Sequence, residues 1–173
     1  MIFELKPLSV SNGRDVYDML QEIPASENGY ANSLHGKTFE EYRAALVRME
    51  AAARETKIID GWKVPQSTYW LYVDGYPVGQ GRIRHFLTDA LREAGGHIGY
   101  AIRPGMRGRG YGKILLSKLI GEARLMGIDR ALVTVHNDNT PSVRTALSCG
   151  GSIERVSDIR HYIWIDCSKN QSF

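Results

Sequence analysis

The sequence predicts a mixed α/β domain on one central, mostly antiparallel sheet flanked by helices. Three observations carry this. Apolar residues recur at helical spacing near 38–53 and 110–126. Short aromatic and β-branched runs stand at 69–73, 78–84 and 130–136. The resulting order is strand, two helices, three strands, helix, strand, helix, two strands. A length of 173 residues suits one domain with its own core.

Ile2 to Leu8 reads as a short strand, closed by Pro7 and the turn-rich run Ser9 to Gly13. A helix is expected from about Asp15 to Ile23, and Pro24 stops it. Residues 24–37 read as irregular. Thr38 and Glu41 have capping-box spacing, so a second helix starts there, with Tyr42, Leu46, Met49 and Ala53 on its apolar face. Tyr69 to Val73 and Val78 to Arg84 flank Asp74-Gly75, a strong hairpin signal. Residues 86–96 form a longer connection, and His97 to Arg103 a strand stopped by Pro104. A helix over about 110–126 ends at Gly127, a left-handed cap, with Ile128 as its hydrophobic contact. Arg130 to His136 is a buried strand, Asn139 to Cys149 a helix, and 152–156 and 160–166 two closing strands. The tail from Ser168 to Phe173 is expected to fray.

Composition narrows the function. A formal charge of +3 is too small to argue for nucleic acid. The two cysteines, Cys149 and Cys167, form no Cys-x-x-Cys pair, so neither a disulfide framework nor a metal site is expected. The N-terminus has no signal-peptide pattern, and no apolar run approaches the ~18 residues of a membrane span. A cytoplasmic protein without a membrane partner is the expectation.

The chemistry concentrates in Arg103-Pro-Gly-Met-Arg-Gly-Arg-Gly-Tyr-Gly112, between a strand and a helix. Gly108, Gly110 and Gly112 allow the backbone to approach a ligand and to take positive φ. Successive amides can form an anion nest, and the helix start adds free N–H groups and the positive end of its dipole. Arg107, Arg109 and Lys113 add full charges. This array suits a pyrophosphate. A P-loop fails, because three residues rather than four separate Gly108 from Gly112-Lys113, and Ile114 follows. A dinucleotide fingerprint fails, because Lys113 or Leu115 stands where its third glycine belongs.

Arg107-Gly-Arg-Gly-Tyr-Gly112 resembles motif A of the GNAT superfamily of N-acetyltransferases, written Arg/Gln-x-x-Gly-x-Gly/Ala. Gly99-Tyr-Ala-Ile-Arg-Pro104 looks like that family's fourth strand, and Val133 to Ser142 like its fifth strand and the following helix. Gly95-Gly-His-Ile-Gly-Tyr100 and Gly150-Gly151 look like its bacterial predicted-acetyltransferase branch. The resemblance implies one GNAT-like domain over 1–173, with N-terminal substrate-side elements in 1–66 and a cofactor-binding core in 68–166. It implies splayed fourth and fifth strands. It also implies acetyl-CoA as donor, direct transfer to a primary amine, and a small-molecule or peptide acceptor. Arg107, Gly108, Arg109, Gly110, Tyr111 and Gly112 would hold the pyrophosphate through their amides. The strand edge at Tyr100, Ala101 and Ile102 would pair with the pantetheine arm. Asn139 would line the arm's far side or cap its helix.

The catalytic groups depart from the family pattern. Ala146 stands where many members carry a tyrosine, and Gly96 and Ile98 where some carry Glu or His. His97 and Tyr100 are the candidate catalytic residues, with His85 a further candidate; each has a plainer reading as structural or surface. Glu22, Glu27, Tyr30 and His35 fall in the region expected to choose the substrate, where an acidic group would favour an amine. A non-catalytic acyl-CoA-binding module and a nucleotide or RNA binder are the alternatives. A homodimer is compatible with the sequence.

Overall fold

A computed structural model describes residues 1–56, 61 and 63–169. The element order is β1 (Phe3–Pro7), α1 (Arg14–Glu22), β2 (Ser26–Glu27), β3 (Tyr30–Ala31), α2 (Phe39–Ala52), β4 (Gln66–Val73), β5 (Tyr76–Arg84), α3 (Asp89–Glu93) and β6 (Ile98–Ile102). After a 3-10 turn at Pro104–Met106 come α4 (Tyr111–Leu125), β7 (Arg130–His136), α5 (Thr140–Ser148), β8 (Gly151–Val156) and β9 (Arg160–Asp166).

The long elements stand where periodicity and caps place them. Thr38 and Glu41 form the capping box of α2, with Thr38 N donating to Glu41 Oε2 at 2.7 Å and Glu41 N to Thr38 Oγ1 at 3.2 Å. Asp74 and Gly75 take φ of 48° and 79°, the two left-handed residues of a tight hairpin between β4 and β5. Gly127 takes φ 82°, and Ile128 N returns to Ala123 O at 3.0 Å, closing α4 as expected.

Two stretches differ from the sequence expectation. Residues 86–96 contain the short helix α3, capped by Thr88. Residues 24–37 are not wholly irregular: β2 and β3 pair through an Asn28-Gly29 turn with φ of 50° and 80°. The end of the tail, 170–173, lies outside the described residues.

Among the described residues the strands form ladders in the orders β1-β4-β5-β6 and β7-β9-β8, antiparallel within each, with β2-β3 apart. The single central sheet of the sequence reading is therefore parted between β6 and β7. Strand alternation assigns the two faces of the first ladder. Tyr69, Leu71 and Val73 join the core under α4, with Leu115, Leu116, Leu119 and Ile120. Trp70 and Tyr72 join a second core under α1 and α2, with Met19, Leu20, Tyr42 and Leu46.

On β5 the same alternation has consequences for the site. Gly79 and Gly81 face α4, where an added Cβ would lie 2.7 Å from Ile102 Cδ1 and 2.6 Å from Leu119 Cδ1 respectively. Their smallness brings α4 close to the sheet and fixes where its N-terminus points. Gln80, Arg82 and Arg84 alternate with these glycines, and Arg82 reaches Ala31 and Tyr30 of the small hairpin.

Candidate active site

The gap between β6 and β7 has an identifiable pin. His97 N donates to Leu132 O at 2.8 Å, and Leu132 N donates to His97 Nδ1 at 3.0 Å. Gly96, at φ 59°, leaves room beside Leu132 O that a Cβ would close to 2.5 Å. Away from this pin the strands part, and a cleft of about 720 Å³ runs between them. Ile98 to Ile102 form one wall, Val133 to His136 the other, and the loop at 107–113 lies at its margin.

The glycine-rich loop has the form its sequence requires. Gly108 and Gly110 take φ of 74° and 81°, and nothing lies within 4 Å of either Cβ position. Left-handed backbone, rather than crowding, demands glycine there. Gly110 is the N-cap of α4. The amides of Gly108, Arg109, Gly110, Tyr111 and Gly112 find no acceptor among the described residues. Five free donors at the start of a fifteen-residue helix form an anion-binding end.

The expected residues divide by position. Tyr100, Ala101, Ile102, Arg107, Gly108, Gly110, Tyr111, Gly112 and Asn139 line the cleft. Arg109 is exposed and outside its wall. The Tyr111 ring turns away to meet Phe3 edge-on, centroids 6.1 Å apart, so only its backbone can serve an anion. Arg107 spans two elements: its Nε donates to Ile102 O at 3.0 Å, and its Nη1 to Glu27 Oε1 at 3.1 Å. Asn139 caps α5, its Oδ1 accepting from Ser142 N at 3.4 Å, while also lining the cleft.

His97 and Tyr100 fall on different sides of the problem. His97 is buried outside the cleft wall, its ring edge-on to Trp164. Burial, with smaller contributions from Arg92 and Arg84, lowers its pKa to about 4. It therefore folds neutral, with Nδ1 as acceptor. The folded value lies below the ordinary 6.5, so the protein should lose stability as pH falls from about 6.5 towards 4. Denaturant titrations across that range should show the loss, and His97→Gln should flatten it. Tyr100 turns towards α5, and Gly112 would place a Cβ 3.7 Å from its Cε2. Its hydroxyl is buried and has no hydrogen-bond partner among the described residues. Burial raises its pKa against a smaller opposing effect of the Ser142 and Thr145 hydroxyls.

Other candidates are occupied elsewhere. His85 shares a 2.8 Å hydrogen bond with Ser67 and is not in the cleft wall. His35 is exposed. Glu22 binds Arg103, which is 4% exposed and so is a packed structural group rather than a free phosphate ligand. With Glu27 on Arg107, both carboxylates expected to favour an amine already hold guanidinium groups. One residue was missed: His136, at the end of β7, lines the cleft and is the imidazole among its described lining residues. It closes the strand expected over Arg130 to His136, but nothing in the spacing marks it as open to a cleft.

A strand pair parted beside a glycine-rich helix start defines a cleft with free backbone donors at one margin, suited to an anionic group. The chain belongs to the acetyltransferase (GNAT) family, which it matches over residues 32–150. It is an acetyltransferase with acetyl-CoA as donor. No curated protein matches it in sequence. Solved structures share the fold. RimL, a ribosomal L7/L12 alpha-N-protein acetyltransferase in complex with coenzyme A, aligns at TM-score 0.70 and 15% identity, covering 95% of this chain and 93% of that one. The microcin C7 self-immunity acetyltransferase MccE, in complex with acetyl-CoA and AMP, aligns at 0.68 and 17%, covering 95% and 92%. The Campylobacter jejuni N-acetyltransferase PseH, in complex with acetyl coenzyme A, aligns at 0.62 and 11%, covering 95% and 99%. Among the described residues no helix is long and apolar enough to cross a membrane, and no group of three metal-ligating side chains occurs.

Proposed function

We propose that the protein transfers an acetyl group directly to a primary amine, with Tyr100 as proton donor and His136 as proton acceptor. One observation carries the reading: Tyr100, whose buried hydroxyl has no hydrogen-bond partner among the described residues, lines a cleft that begins at free amides on the α4 N-terminus.

The residues present fit acetyl-CoA. The amides from Gly108 to Gly112 match a pyrophosphate, with Lys113 beside them. The unladdered edge of β6 at Ala101 and Ile102 suits an amide-bearing arm. When bound, acetyl-CoA supplies an activated thioester carbonyl and a thiolate leaving group.

The protein must then place an amine, remove one proton and deliver another. No protein nucleophile is needed. Cys149 is buried, and burial raises its thiol pKa, so it is not poised as a thiolate. The Tyr100 phenol stays protonated in its buried position and can donate to a developing thiolate. His136 reaches the cleft from the opposite wall, beside Gly29, and can accept the amine proton directly or through water.

The test is free thiol release from acetyl-CoA with a panel of primary amines, for wild type and His136→Asn. The reading expects amine-dependent turnover, about 100-fold slower in the variant and recovering least at low pH. Acetyl-CoA binding without turnover on any amine would instead favour a non-catalytic acyl-CoA-binding module.

A further inference from the structure

The cleft has a second polar end that the transfer chemistry does not require. It is formed by Arg82 and Arg84 of β5, Tyr30 of the small hairpin and Arg160 of β9, all in the cleft wall. Arg82 lies 4.3 Å above the Tyr30 ring centroid and donates from Nη2 to Ala31 O at 2.8 Å. Arg84 donates from Nη1 to Gly95 O at 3.0 Å and Gly96 O at 3.2 Å.

Neither guanidinium has a carboxylate partner among the described residues. Their hydrogen bonds go to the carbonyl oxygens of Ala31, Gly95 and Gly96, which leave the positive charge uncompensated. Two donors here are buried without any acceptor among the described residues: Arg82 Nε and the Tyr30 hydroxyl. Burial and the like charge of Arg82 lower the Arg84 pKa to about 10. A desolvated Arg84 beside a half-buried Arg82 whose Nε has no acceptor is costly unless an anion completes the pair. The carboxylate in the cleft wall, Glu27, is already held by Arg107. Strand alternation on β5 explains the pairing: residues 80, 82 and 84 face away from α4, towards the hairpin.

We infer that the acceptor carries an oxyanion, a carboxylate or a phosphate, close to its amine, and that Arg82, Arg84 and the Tyr30 hydroxyl bind that group. This rests on the transferase reading above and narrows its substrate class. Guanidinium forks match planar or tetrahedral oxyanions through paired hydrogen bonds. The same cations lower the pKa of a nearby ammonium. They would thus favour the neutral, attacking form of the amine and lessen the demand on a base. The site selects against polyamines, whose second cation would meet Arg82 and Arg84.

The experiment uses the full chain with saturating acetyl-CoA. Matched pairs are compared: amino acids against their amides, O-phosphoethanolamine against ethanolamine, with spermidine as the cationic member. The expected result is kcat/KM roughly 10–100-fold higher for the anionic member of at least one pair. The carboxylate and phosphate arms show which oxyanion is meant. Arg84→Gln and Arg82→Gln should erase that preference, and Arg84→Lys should keep part of it. A turnover-free arm follows the thermal shift produced by inorganic phosphate on the coenzyme A-saturated protein. A shift in the wild type that Arg84→Gln and Arg82→Gln both lose supports the inference even without a substrate in hand. Equal or faster turnover of neutral or cationic amines overturns it and leaves the transferase reading standing. Absence of a phosphate shift in a protein that turns over no amine overturns both.

Discussion

Tyr100→Phe is expected to slow turnover about 100-fold while leaving the fold as stable as before or slightly more stable. The two halves of this expectation have separate causes. The phenol oxygen is buried and has no partner among the described residues. An unpaired buried hydroxyl contributes nothing to stability and carries its desolvation cost, so its removal is neutral or favourable. The ring remains, and with it the packing against the core under α4. On the proposed mechanism the function lost is proton delivery to the leaving thiolate. The KM for acetyl-CoA should therefore change little, since the proposed reading gives the pyrophosphate to the amides of 108–112 and not to Tyr100. The loss should narrow with thioesters whose thiols are more acidic, because these need less protonation. A purely structural tyrosine would give a lower melting temperature and no dependence on the leaving group.

Gly96→Ala should cost about 2–5 kcal/mol and reduce activity out of proportion to the size of a methyl group. Two penalties add. The residue holds φ 59°, where an L side chain costs about 1–2 kcal/mol. The new Cβ would also stand 2.5 Å from Leu132 O, a backbone atom that moves only with β7. Overpacking of this kind costs about 1–3 kcal/mol. The only relief is to push β7 from β6 at the His97–Leu132 pin, which changes the width of the cleft. Urea unfolding and acetyl-CoA affinity, measured on the same sample, check both parts. Gly105→Ala is the control, since its added Cβ would meet nothing within 4 Å and its φ is not in the left-handed range.

Much of the fold was legible because long elements carry redundant signals. The strand 130–136 was read from a continuous apolar run and has those same bounds. The helix 39–52 was read from a cap and a stripe that agree. The short elements lacked that redundancy. Helix α3, at five residues, has too few turns to show a period. The β2-β3 hairpin has two-residue strands with no alternation, so its Asn28-Gly29 turn stood without flanking support.

The form of the glycine-rich loop was legible for a related reason. Glycines, arginine and the helix start lie within a few residues of one another, and their chemistry depends on local backbone. The acceptor side depends on distant pairings. Glu22 and Glu27 meet Arg103 and Arg107 across 81 and 80 residues of sequence, which converts two apparent amine-binding carboxylates into structural ion pairs. Alternation alone puts Arg82 and Arg84 on one face of β5. Only the parting of β6 from β7 shows that this face opens on a cleft. His97 was singled out as an imidazole near the motif, yet its Nδ1 accepts the Leu132 amide and its ring lies behind the wall.

The most direct test of the account is a thermal-shift titration with acetyl-CoA on the wild type and on Gly110→Val, with ATP and NAD as controls. At about 100 times its dissociation constant a ligand stabilises the fold by about 2.7 kcal/mol. For a chain of this length the melting temperature should rise by roughly 5–10 °C. Gly110 is the left-handed cap at φ 81°, with open space beside it. Valine there should therefore displace the amides and weaken the response without touching the core. A rise with acetyl-CoA that Gly110→Val loses is the predicted result. No rise at saturating acetyl-CoA, or an equal rise in both proteins, would contradict the assignment of this loop and cleft to the donor.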